Sequence, residues 1–97
     1  MVELPTPRLS EQDVINIAQL TLRQQQWAYD QALGLRARWR GIVPDVPGHE
    51  GVSFSLWSVM YTTPQGPFDQ VDHALGIDDQ TGQPLYMMTG TSRYDFL

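Results

Sequence analysis

Apolar residues recur at helical spacing early in the chain: Val14, Ile17 and Ala18, with Leu20 and Leu22 flanking, then Ala28, Tyr29, Ala32 and Leu33. Such spacing lines one side of a helix. Start signals precede it. Ser10 can cap the free backbone N–H groups, and Asp13 stands where a capping box needs a carboxylate. Leu9 and Val14 take the two positions of a hydrophobic staple. Glu11 and Asp13 put negative charge in the positive first turn. Gln24, Gln25 and Gln26 are good helix formers for an exposed side. Gly34 is a natural stop. The pattern predicts a helix over residues 11–33.

The period then changes. Leu35, Ala37 and Trp39 alternate with Arg36, Arg38 and Arg40, which predicts a half-buried strand with an arginine face. A helix continuing to residue 40 is the competing reading. Gly41–Gly51 holds two prolines and three glycines and reads as a loop. Val52–Thr63 is rich in β-branched and aromatic residues and reads as the central strand. Val52, Phe54, Leu56 and Met60 fall on one face, and Trp57, Val59 and Tyr61 on the other, so both faces call for cover. Pro64–Pro67 is a turn. Val71–Ile77 is a further strand with Val71, His73, Leu75 and Ile77 on one side. Asp79–Gly82 is a tight connection, and Leu85–Phe96 a last strand with a bulge at Gly90.

The expectation is therefore an α+β fold: one long N-terminal helix packed on a three- to four-stranded antiparallel β-meander, in two layers. This element order resembles the cystatin-like arrangement, a likeness of topology alone. Residues 1–9, with Pro5 and Pro7, read as an extended lead-in, and residues 10–97 as a single domain.

Composition narrows the chemistry. The 97 residues are 41% hydrophobic and 18% charged, with a net charge of -5. That is a globular balance, and its sign repels phosphate backbones and anionic membranes. There is no Cys, which excludes disulfides, thiolate metal sites and thiol catalysis. There is no Lys, which excludes Schiff-base chemistry; all six basic residues are Arg. No apolar run reaches the roughly 20 residues of a membrane span. The N-terminus lacks the basic and apolar regions of a signal peptide, so the cytoplasm is the expected compartment, although a processed secreted chain would look the same.

Few residues suggest catalysis. His49, Glu50, Asp69, Asp72 and His73 are the right types for a metal, yet their spacing matches no metal motif. The His49 loop and the Asp69 turn also fall at opposite ends of a meander. Asp72-His73 and Asp78-Asp79 are adjacent pairs, and neighbours on a strand point to opposite faces. Asp78-Asp79 fits a turn that bonds its own backbone. Ser53, Ser55 and Ser58 lack a nucleophile elbow, and no phosphate-cradling loop occurs. No catalytic residue, metal or cofactor is expected.

Binding features are more distinctive. The Arg36, Arg38 and Arg40 row would project from one strand face as a docking stripe for carboxylates, or as a solvated face pairing with local acids. Ile42, Val43, Asp45 and Val46, together with Phe68, are apolar or flanking loop positions suited to a partner. The leading expectation is a non-enzymatic protein-interaction module that binds one protein partner: a regulator, an assembly subunit or an inhibitor. An alternative is a small-ligand pocket between helix and sheet, lined by Trp57, Tyr61, Met87 and Met88. A third is weak single-stranded nucleic-acid binding through the arginines, against which Trp39 faces the wrong way to stack. A central or last strand lying at a sheet edge would offer a homo-oligomer contact.

Overall fold

The Ser10 hydroxyl accepts a hydrogen bond from the Asp13 amide at 3.0 Å, and the Asp13 carboxylate accepts one from the Ser10 amide at 3.0 Å. This reciprocal box opens helix α1, Glu11–Gln25. The structure, a computed structural model, describes residues 5–46, 48–67, 69–90 and 92–96. Five strands follow the helix: β1 (Arg36–Val46), β2 (His49–Thr62), β3 (Asp72–Asp78), β4 (Pro84–Thr89) and β5 (Ser92–Asp95). They pair antiparallel in the order β1-β2-β3-β4-β5, a plain meander.

The α+β class stands, while three expected boundaries are corrected. First, the helix ends at Gln25 and does not reach residue 33. Gln26 turns left-handed at φ 60, which sends Trp27 into an aromatic cluster with Tyr94 and Phe96. Asp30 organises the following turn, its carboxylate accepting from the Ala32 amide at 2.9 Å. Gly34 closes that turn, and not the helix.

Second, Gly41–Gly51 is not a loop. β1 and β2 run on together as a long hairpin arm, closed by the pair Val46–His49. Pro44 is tolerated because β1 is an edge strand, where a missing N–H breaks no ladder bond. Register shifts between Trp39 and Gly41, and between Pro44 and Val46, bend the arm. Third, Gly90, at φ 57, is a turn and not a bulge, so the predicted last strand is the β4–β5 hairpin. The sheet accordingly has five strands, not three or four. β2 lies inside it, so only β1 and β5 are edges.

Strand alternation sorts the residues as expected. On one face Trp57, Val59, Leu75 and Ile77 pack with Val14 and Ala18 of α1. On the opposite face the arm folds back, and Val46 joins Leu56, Leu85 and Tyr86 in a second apolar cluster. Burying each such side chain contributes roughly 1.5–3 kcal/mol. Tyr86 lies across Gly76: a Cβ built there would sit 2.3 Å from the Tyr86 ring. No helix of the described residues is long and apolar enough to cross a membrane.

Candidate functional site

The arginine row begins on the sheet face away from α1. Arg36 stands opposite Met60, and Arg38 opposite Ser58. All three arginines are exposed. They do not pair with local carboxylates, as a solvated face would. Among the described residues the one ion pair joins Arg93 to Asp95 at 2.9 Å. Arg36 donates instead to the Thr62 hydroxyl at 3.1 Å, and that hydroxyl donates to Asp72 at 2.7 Å. Arg40 is close enough to Tyr86 for its charge to oppose the upward push that burial gives the phenol. Trp39 turns to the helix face, its ring 5.4 Å from that of Trp57. No indole therefore stacks beside the arginines.

The expected partner loop divides. Ile42 is 55% exposed, whereas Val46 is fully buried and Val43 packs half-buried against the second cluster. Val46 is thus a core residue in the bent arm. Asp45 accepts from the Gly51 amide at 2.7 Å and holds the arm in shape. Phe68, with residues 1–4, Pro47, Thr91 and Leu97, lies outside the described residues.

The four residues proposed to line a ligand pocket also separate. Trp57 belongs to the core and donates its indole N–H to Asp79 at 3.0 Å. Met88 packs on the far face of the sheet. Tyr61 and Met87 do meet, in a cleft of about 370 Å³ beyond the end of α1, with Trp27, Ala28 and His73 among its other walls. Trp27 and His73 carry this site and escape a reading by strand spacing alone. Trp27 sits in a stretch that reads as helix, and His73 reads as an ordinary rim residue.

His73 is well supported. Its ring stacks on Tyr61 with centroids 4.8 Å apart, and its Nδ1 shares a hydrogen bond with the Thr89 hydroxyl. Burial lowers the imidazole pKa from its usual value, and the Asp72 carboxylate opposes that shift. Burial pushes the Tyr61 phenol up to about 12. Both rings are therefore neutral near pH 7.

Asp79 departs from the turn role expected of Asp78-Asp79. Asp78 does bond its own turn, through the Gln80 amide at 3.0 Å. Asp79 is 1% exposed and reaches the N-terminus, accepting from the amides of Arg8 at 2.7 Å and Leu9 at 2.9 Å. Burial raises its pKa, but these amides, the Trp57 indole and the Arg8 charge together hold it below the usual value. The carboxylate is a fastening for the lead-in.

His49 stacks edge-on against Phe54 at the arm tip. Among the described residues no three His, Asp or Glu side chains gather as metal ligands. No family model matches the chain, and no curated protein or solved structure matches it.

Proposed function

We propose that this chain is a non-enzymatic interaction module that receives an acidic segment of one protein partner along β1. The observation that carries this reading is the row of exposed arginines on an edge strand, with no carboxylate within ion-pair distance among the described residues. In a chain of net charge -5, three neighbouring cations with no direct ion-pair partner among the described residues favour an external one. Guanidinium forks suit carboxylates, which they can grip bidentately. Met60, 37% exposed beside Arg36, supplies apolar contact on the same face. Val43 and Val46 leave the contact set, because the fold uses them internally. A partner of this kind fits a regulator, an assembly subunit or an inhibitor alike.

A fluorescein-labelled oligo-glutamate peptide, titrated by anisotropy at low and physiological salt, tests the reading. Binding should weaken with salt. Three exposed charge contacts at roughly 0.2–1 kcal/mol each amount to about a tenfold loss in the combined variant Arg36→Gln, Arg38→Gln, Arg40→Gln. Equal binding by parent and variant would refute it. Tighter binding of oligo-thymidine than of the peptide would also refute it and move the arginines to nucleic-acid recognition.

A further inference from the structure

The cleft beyond the end of α1 is independent of the arginine row, on the other face of the sheet. Its volume of about 370 Å³ lies within the range of small-molecule sites, roughly 300–1,000 Å³. Trp27, Tyr61 and Met87 make its walls largely aromatic and apolar. A neighbouring hollow of about 410 Å³ shares Trp27 and Ala28 and adds Leu22 and Tyr29, but Gln19, Arg23 and Gln31 give it more polar walls.

The hydrogen bonds around His73 define what the cleft can recognise. The Thr89 hydroxyl lies 3.3 Å from the Met87 sulfur and shares a hydrogen bond with His73 Nδ1. That bond occupies Nδ1, so Nε2 is the ring atom left to meet a ligand, as acceptor or donor according to the tautomer. Nε2 has no partner among the described residues, and it is not sealed in the interior. Burial supports the neutral ring this requires. The site thus offers one free imidazole nitrogen among aromatic and apolar walls, with Gln26 and Thr63 also in the lining. A ligand carboxylate or phosphate would find no cation there.

We propose that this cleft binds one small planar aromatic molecule bearing a hydroxyl group, which hydrogen-bonds to His73 Nε2 while its ring packs against Trp27 and Met87. Edge-on or offset stacking with the indole and the flexible thioether suit such a ring.

Phenol and toluene are the probes, because they differ only in the donor. A merely apolar cleft favours toluene, since phenol must shed water from its hydroxyl. Two-dimensional NMR of the whole chain, following the Met87 methyl and the His73 ring, should show phenol binding about fivefold to tenfold more tightly than toluene, the worth of roughly one hydrogen bond. His73→Phe should reverse that preference. Ala28→Trp, at an exposed wall position, should block the cleft and abolish the shifts with the circular dichroism unchanged. The proposal is overturned if phenol at millimolar concentration moves neither resonance, if toluene binds as tightly as phenol, or if folded Ala28→Trp still binds.

Discussion

Replacing Asp79 with alanine removes the acceptor on which three donors converge. Two of them, the Arg8 and Leu9 amides, belong to a lead-in that can lift into water once released. The third cannot: the Trp57 indole N–H sits in the core, on a residue 5% exposed. An orphaned buried donor costs about 1–3 kcal/mol. Taking about 2 kcal/mol for the indole and about 1 kcal/mol for the unfastened lead-in gives about 3 kcal/mol in total. For a domain of this size that corresponds to a fall in Tm of about 12–24 °C. Urea unfolding followed by tryptophan fluorescence reads it directly, with the m-value unchanged. A double-mutant cycle sharpens the test. In a Trp57→Phe background no indole is left to strand, so Asp79→Ala should cost about 1 kcal/mol, a coupling of about 2 kcal/mol. A loss below about 1 kcal/mol in the parent, or full additivity with Trp57→Phe, would refute the reasoning.

Three further outcomes follow from the packing. Gly76→Ala should destabilise by at least about 2 kcal/mol, measured by thermal melting, because the added methyl meets the Tyr86 ring. Val46→Asp should leave the chain largely unfolded by circular dichroism, since it puts a carboxylate into a fully buried apolar cluster. For His73, whose folded pKa is lowered from 6.5, the unfolded chain binds more protons between the folded value and about 6.5. Stability should therefore fall as pH drops through that window, and urea midpoints of His73→Gln at pH 7.5 and pH 5.5 should differ less than those of the parent.

What was legible in the sequence rests on residues close together along it. The Ser10–Asp13 box declares itself within four positions, and the face alternation of Phe54, Leu56, Trp57 and Val59 needs only the period of a strand. What was not legible depends on distant partners. Nothing near Gln26 stops a helix; the stop comes from Trp27 turning to Tyr94 and Phe96 at the far end of the chain. The prolines and glycines of 41–51 resemble a loop, because whether Pro44 breaks a strand depends on its strand being an edge. Met87 and Met88 are equal candidates for a pocket until it is known which face the helix covers. Asp79 resembles any turn aspartate, and only the approach of Arg8 and Leu9 makes it a fastening.

The meander pairs each strand with the one made just before it, so four hairpins can close locally and quickly. The Asp79 fastening is the opposite case, joining Arg8 to a residue 71 positions later. During synthesis the lead-in emerges well before its anchor, which is made 71 residues after Arg8. The helix stripe of Val14 and Ala18 is likewise covered only in part, by Trp57 and Val59, until β3 contributes Leu75 and Ile77. The apolar helix stripe is therefore not fully covered until β3 has been made.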